Sequence, residues 1–450
     1  MAYYTWKSYK LGLGPLDILS ALRGQTDVFL LDSSLNSAAL GRYSFLGFAP
    51  FHTLETKGQN PFEKLRKLLD TYKITVPKAK IPFLGGAVGF LSYDLGFILE
   101  KCAGLRPKVD SGIPECRFGF YNTVIIIDHL RENLDIFCVG FPEKGYHLQR
   151  ALAEYNLKET SRMLTKIIRQ EPFKIMASLR PLKSNFNFRQ YLQAVRKAKE
   201  YIRNGDIYQV NLSQEFSAKT ERSAFEIYRR LRRLSPTHFG AYLDAGDFQI
   251  ISSSPERFLS LRGSLVTTRP MKGTRPRSRV KAKDSELKKA LLASPKDKAE
   301  LMMIVDLERN DLGRVCTYNT IKADELRNIE AYSTVFQTTA TISGRLHKEK
   351  DRLDLLNACF PGGSITGVPK IRAMQIIEEL EPHRRGIYTG SLGYLSFSGD
   401  MDFNILIRTI LKNNDTIKFG VGGGIVADSL PEDEYEETMV KARAMMEALS

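Results

Sequence analysis

Several side chains in the second half of the chain have types and settings suited to acid–base, nucleophilic or ion-holding work. Glu256 ends the polar cluster Ser252-Ser253-Ser254-Pro255-Glu256, just before Arg257. A carboxyl at a strand end can trade a proton with a ligand; the plain alternative is a weak surface pair with Arg257. Lys272 lies in Arg269-Pro270-Met271-Lys272-Gly273-Thr274-Arg275-Pro276-Arg277. Neighbouring cations favour a neutral amine, which is a good nucleophile, and Gly273 lets a substrate approach the backbone. The competing reading is a solvated charge in a basic loop. Glu300 precedes the apolar run Leu301-Met302-Met303-Ile304-Val305, so it either points to solvent or serves a site. Glu434 and Glu437 share a helix face, with Lys441 one turn beyond Glu437 in ion-pair spacing. Two glutamates, a substrate carboxylate and water would suit octahedral Mg²⁺. Gly362–Gly367 running into Pro369, and the Gly422-Gly423-Gly424 turn, expose backbone N–H groups able to hold a carboxylate. These residues describe an anion-handling pocket with carboxylates and a lysine. They do not by themselves name a reaction.

The elements that must position them follow from periodicity. Phe188, Leu192, Val195, Ala198 and Ile202 recur at helical spacing, and Asn204-Gly205 stops that helix. From Ile207 to Phe216 the pattern alternates. Tyr208, Val210, Leu212 and Phe216 form an apolar face, and Gln209, Asn211, Ser213 and Glu215 an unusually polar one. Strands are expected at Val28–Leu31, Val124–Ile127, Gly240–Asp244, Phe248–Ser253 and either side of Arg262-Gly263, with a glycine-rich strand and turn over Pro82–Asp94. Strand-rich sequence fills Gly386–Val426, turning at Ser398-Gly399 and Asn413-Asn414. Helices are expected over Lys144–Arg169, Asp284–Ala293, Lys296–Arg309, Lys370–Leu380 and Pro431–Ala448. Weak periodicity and Pro181 suggest a linker over Lys174–Asn187, dividing the chain into 1–180 and 186–450. Strands clustered in runs and interrupted by helices argue an α+β fold.

Composition excludes several classes. The chain has 450 residues, 43% apolar and 26% charged, ordinary for a packed core and wrong for a disordered or fibrous protein. No apolar run approaches the 18 or so residues of a membrane span. The opening MAYYTWKSYK carries no signal-peptide core, and five scattered cysteines form no CxxC pair, so a reducing cytoplasmic setting is expected. A net charge of +15 admits nucleic acid or an anionic small substrate. The densest basic stretch, Arg269 to Lys283, lacks the interleaved aromatics and motifs that nucleic-acid binding calls for. Three other patterns fail. Gly362–Gly367 has phosphate-loop spacing but Val368 where the lysine belongs, Gly420–Gly424 is no dinucleotide fingerprint, and the six histidines have no metal-ligand spacing.

Taken together, Gly205–Gln214, Ser254-Pro255-Glu256, Met271–Arg277 and Val305–Asp311 resemble the chorismate-binding enzymes. Pro361–Lys370, Arg385–Gly393, Asp402–Arg408 and Gly422–Ser429 extend the resemblance to the C-terminus in the family's order and spacing. The match is strong from Phe186 to Ser450 and weaker from Ala2 to Asp94, a region similar to the N-terminal part of anthranilate synthase component I. The resemblance implies two intertwined α/β subdomains, with large antiparallel sheets packed as a sandwich and helices outside.

It also implies roles. The family's Mg²⁺ would be held by Glu300 and Glu437, Glu256 would act as general acid, and Lys272 would be the nucleophile. Gln209, Thr274, Ser364, Tyr388, Arg408, Gly424 and Lys441 match substrate-binding positions. Members that use water carry a lysine base at the position of Gln209, so ammonia is the implied nucleophile at the second step. Anthranilate synthases have alanine at the position of Lys272; the lysine form is that of the aminodeoxychorismate synthase branch. The anthranilate branch is the alternative, and outside enzymes a basic nucleic-acid binder. The family histidine tied to ring aromatisation stands here as Gln337, a further argument against anthranilate. No glutaminase cysteine elbow with a downstream His-x-Glu is present, so a separate glutamine amidotransferase subunit is implied as partner. The family's tryptophan-pocket motif Leu-Leu-Glu-Ser stands as Leu30-Leu31-Asp32-Ser33, which places a pocket at Leu31, Asp32 and Ser33 and argues against feedback control by tryptophan.

Overall fold

Unbroken apolar strands need cover on both faces, and this chain supplies it by stacking two antiparallel sheets. The computed structural model describes residues 2–35, 40–76, 81–100, 112–167, 181–332 and 335–450. Among these, one sheet has twelve strands and the other ten. Each sheet draws strands from both sides of the 180 region. In the larger, Phe29–Asp32 pairs with Phe239–Asp244; in the smaller, Gly86–Leu91 pairs with Ser391–Ser396. Aromatic rings meet across the interface: Phe90 lies 5.8 Å from Phe248, and Phe45 5.9 Å from Tyr394. Thr123–Asp128 and Gly86–Leu91 are buried along their whole length, as their sequence runs require. Within the second strand a Cβ at Gly89 would stand 1.9 Å from the Arg117 carbonyl, so only glycine allows that pairing.

Helices cover the outside. Phe188–Arg203 opens with a capping box, Asn187 accepting from the Gln190 amide, and ends before Gly205 in a left-handed conformation. It packs on the C-terminal helix Pro431–Leu449, which also covers Ala224–Leu234 and the Thr416–Ile425 strand. Pro295–Gly313, capped by Ser294, lies on the smaller sheet against Met271–Pro276 and Val335–Arg345. No helix among the described residues is long and apolar enough to cross a membrane. Cys116, Cys138, Cys316 and Cys359 are free thiols.

Departures from the sequence reading are local. Tyr208 precedes the Gln209–Lys219 strand and is 72% exposed, so it does not belong to that strand's apolar face. Its amide is spent on the Val368 carbonyl, which joins the chain here to the Gly367–Val368 strand. Within the expected linker, Lys183–Ser184 pairs with Phe216 and Ser217; 174–180 lies outside the described residues, as do 168–169 at the end of the Tyr146–Thr165 helix. The basic segment around Lys272 is no loop: Met271–Pro276 is a strand on Val335–Arg345. Three of its arginines are paired, Arg269 with Glu330 at 2.7 Å, Arg275 with Asp297 at 2.9 Å and Arg277 with Asp284 at 2.9 Å.

Candidate active site

Lys272 is aimed by a kink. Between Lys272 and Thr274 the pairing register shifts, and Gly273 at the shift has φ +74° with Asp297 only 3.0 Å from where a Cβ would be. The Thr338 hydroxyl donates to the Lys272 carbonyl and anchors the strand on the far side of the kink. The Lys272 ammonium then donates to the Ser364 carbonyl at 3.1 Å. Burial, opposed chiefly by the Glu300 carboxylate and reinforced by Lys441, lowers this amine from the usual lysine range. The arginines beside it in sequence are not the cause, because Arg269 and Arg275 turn to Glu330 and Asp297.

Glu256 stands where the chain passes between the sheets. Phe248–Ser254 belongs to the larger sheet and Arg257–Arg262 to the smaller, and Pro255-Glu256 is the crossing. Glu256 is 4% exposed, and Arg257 turns away to Asp402 at 2.8 Å, so the surface ion pair is absent. Its Oε1 accepts from the Ser364 hydroxyl at 2.6 Å. Burial pushes the carboxyl up to about 7, against the Ser364 bond and the charge of Lys272. Ser364 thus touches both groups, its carbonyl on the amine and its hydroxyl on the acid.

Arg385 holds that Ser364 turn in place. Its guanidinium donates to the Ile365 and Asn211 carbonyls at 2.9 and 2.7 Å and pairs with buried Glu381 at 2.7 Å. The polar face of the Gln209–Lys219 strand lies beneath. A Cβ at Gly424 would be 2.4 Å from Gln209 Nε2 and 3.4 Å from Lys272 Nζ, which brings these three positions together. Gln209 Oε1 and Asn211 Oδ1 are buried with no hydrogen-bond partner among the described residues. Such an acceptor costs about 1–3 kcal/mol unless a ligand or water satisfies it.

On the open side, Glu434 and Glu437 face Gly423, at 3.0 and 3.5 Å from where its Cβ would be, and Lys441 donates to Glu437 at 2.6 Å and to the Gly422 carbonyl at 2.9 Å. Glu300 arrives from the other helix. Burial raises its carboxyl, opposed by Lys272 and Lys296. Glu437 is lowered, chiefly by Lys441. Among the described residues no group of three or more His, Cys, Asp or Glu side chains is arranged to hold a metal on its own. Two hard carboxylates in this setting do fit a cation that completes its shell with substrate and water oxygens, as Mg²⁺ does.

Arg408, with φ +50°, donates to Gln337 at 3.4 Å, and Gln337 pairs across the strands with Thr274. Burial lowers the Arg408 guanidinium, opposed by Tyr332 and Glu256. Tyr388 is set apart. Its ring packs on Gly420, four residues or about 13 Å along the strand from Gly424, and lines a cavity with Glu215 and His383. Leu31, Asp32 and Ser33 line a different cavity of about 210 Å³ between the sheets, with Arg42, Tyr43 and Arg257. Sequence reasoning missed Glu308, a buried carboxyl pushed up to about 8 by burial and by Glu256, with Thr268 donating to it at 2.9 Å. The one signal was a glutamate following the apolar run. It also missed Arg385 as the clamp and Thr338 as the anchor, whose roles depend on tertiary pairing.

The profile of the chorismate binding enzymes matches residues 28–447, and the chain belongs to that family. Anthranilate synthase component 1 of Acetivibrio thermocellus is 36% identical over 463 residues, covering 97% of this chain and 92% of that protein. Aminodeoxychorismate synthase component 1 of Bacillus subtilis is 37% identical over 439 residues, covering 92% and 91%. The crystal structure of anthranilate synthase component I from Streptococcus pneumoniae superposes with a TM-score of 0.81 at 31% identity, covering 97% of this chain and 98% of that one. The menaquinone-specific isochorismate synthase of Escherichia coli shares the fold, with a TM-score of 0.77 at 17% identity.

Proposed function

We propose that this chorismate-binding enzyme aminates chorismate at C4, giving 4-amino-4-deoxychorismate, and takes its ammonia from a separate glutamine amidotransferase subunit. The observation that carries the reading is Lys272: an amine lowered from its usual range, 3.1 Å from the Ser364 carbonyl, beside a Glu256 carboxyl raised to about 7. An alanine at this position could not provide a nucleophile.

In this mechanism Glu300 and Glu437 would hold Mg²⁺, which when bound would neutralise the substrate's ring carboxylate. Arg408 suits a second carboxylate through its planar fork, with Thr274 and Lys441 completing the anion contacts. The neutral Lys272 amine attacks C2, the two conjugated ring double bonds each shift by one bond (C1=C2 to C1=C6, C5=C6 to C4=C5), and the C4–O bond breaks. Glu256 delivers its proton to the departing oxygen, which leaves as water. Ammonia then adds at C4, both double bonds shift back, and the C2–N bond breaks to free Lys272. The surplus proton on nitrogen returns to Glu256. Chorismate and ammonia thus become aminodeoxychorismate and water, by two allylic displacements in place of one difficult substitution. Gln209 offers no base to activate water, which favours ammonia over hydroxide.

The test is product analysis. Purified chain with chorismate, Mg²⁺ and ammonium near pH 8.5, read by liquid chromatography–mass spectrometry, should yield aminodeoxychorismate, converted to 4-aminobenzoate by added lyase. Anthranilate as the product would overturn the proposal.

A further inference from the structure

The carboxylates on the open side of the site share one cation that the mechanism does not use. Lys296 lies one turn before Glu300 on the Pro295–Gly313 helix, with its ammonium 4.0 Å from Glu300 Oε1 and 4.0 Å from Glu434 Oε1. It therefore bridges this helix to the C-terminal helix, and its charge also reaches Glu437. Lys441 is held differently, by direct bonds to Glu437 at 2.6 Å and to the Gly422 carbonyl at 2.9 Å. A separation of 4.0 Å is beyond hydrogen-bond reach, so charge alone draws Lys296 inward. Its side chain is 49% exposed, against 15% for Glu300 and 6% for Glu434, so its amine has an open path to water.

We infer that Lys296 is a tethered counterion. It occupies the cation position between Glu300 and the Glu434–Glu437 face when no divalent ion is bound, and swings into solvent when one enters. Lys296 thereby sets the affinity of the site for divalent metal. Without it, two largely buried carboxylates and Glu437 would repel one another across a narrow gap. A dication displaces it readily, because metal–oxygen contacts near 2.1 Å give far more Coulombic attraction than a single charge at 4.0 Å. The released amine is hydrated at the end of its flexible stem, while the stem stays on the helix surface. Lys296 is a positioning residue in this scheme: it touches the metal-holding carboxylates and not the reacting atoms. The inference rests on the reading that Glu300 and Glu437 hold a divalent ion.

The experiment compares the full chain with its Lys296→Met variant, which keeps the stem and removes the charge. Mn²⁺ is titrated without substrate, and free ion is followed by electron paramagnetic resonance. The variant should bind Mn²⁺ roughly three- to tenfold more tightly, the scale of losing two exposed ion-pair competitors. In the unmodified chain, acetylation of Lys296 by an N-hydroxysuccinimide ester, mapped by peptide mass spectrometry, should speed up at saturating Mn²⁺. Equal or weaker binding by the variant, or labelling indifferent to Mn²⁺, overturns the inference while leaving the metal reading in place. Failure of both proteins to take up Mn²⁺ removes the metal reading itself and the competition with it. The labelling arm keeps the test decisive even if the variant does not fold.

Discussion

Two buried polar regions lie in the same sandwich and treat their charges in opposite ways. Around the Leu31–Ser33 cavity the charges are closed off in short pairs. Asp32 takes Arg232 at 2.6 Å, Tyr228 at 2.7 Å and Ser44 at 3.1 Å; Arg42 takes Asp128 at 2.7 Å. Around Lys272 and Glu256 the groups are near one another but not paired off. Burial lowers the amine and raises the acid, and two amide oxygens have no partner among the described residues. The first arrangement favours a single stable geometry. The second holds groups near the protonation states that proton transfer and nucleophilic attack need, at a cost in stability.

The sharpest way to test that contrast is Lys272→Ala. Under the proposed chemistry it lowers the rate roughly 10⁴-fold or more, and steady-state assays with ammonium measure it. Ordinary activity in that variant would place this chain with enzymes that need no lysine here. Glu256→Gln is next, with a rate loss of roughly 10²–10⁴-fold. It should also raise stability, in a pH-dependent way. A carboxyl raised from 4.5 to about 7 on folding favours the folded state while both forms are protonated, and loses that contribution as pH climbs from 4.5 through 7. At pH 8 the folded chain carries a buried charge that costs about 3 kcal/mol, and glutamine removes it. Thermal melts should show the variant's gain at pH 8 and little at pH 4.5.

Asp32→Asn should behave in the reverse manner. It breaks a largely buried pair, so unfolding free energy falls by about 3 kcal/mol while kcat holds. A kcat loss there would mean the two regions are not independent. The smallest effect is expected from Ser364→Ala, a rate loss of roughly tenfold. Without the Ser364 hydroxyl, which favours the ionised acid, Glu256 keeps its proton to higher pH, and the alkaline limb of the pH–rate profile moves upward.

The elements were legible wherever one local rule dominated. Phe188–Arg203 shows its apolar stripe, its cap at Asn187 and its stop at Gly205, and the turns at Ser398-Gly399 and Asn413-Asn414 sit at positive φ for Gly399 and Asn414. The Met271–Pro276 strand was not legible, because charged residues on an edge strand read like a loop, and its pairing with Val335–Arg345 is a tertiary fact. The site divides the same way. Motif spacing singled out Lys272, Glu256, Glu300 and Glu437, but the cause of the Lys272 shift was misread. Sequence neighbours supplied the charges, and in three dimensions those charges point elsewhere. Lys296, Glu308 and Arg385 gain their partners only when helix and sheet meet, so no local pattern distinguishes them from other charged residues.

The pairing of Gly86–Leu91 with Ser391–Ser396 has a consequence for synthesis. On the ribosome the earlier strand emerges about 300 residues before its neighbour, which at ordinary elongation rates is roughly 15–60 s. For that interval an apolar strand of the first hundred residues has an unoccupied edge, a template for any other extended segment nearby. Newly made chains are therefore most vulnerable to association just before completion. A ribosome stalled short of residue 391 would hold a product whose smaller sheet lacks the strand that covers this edge.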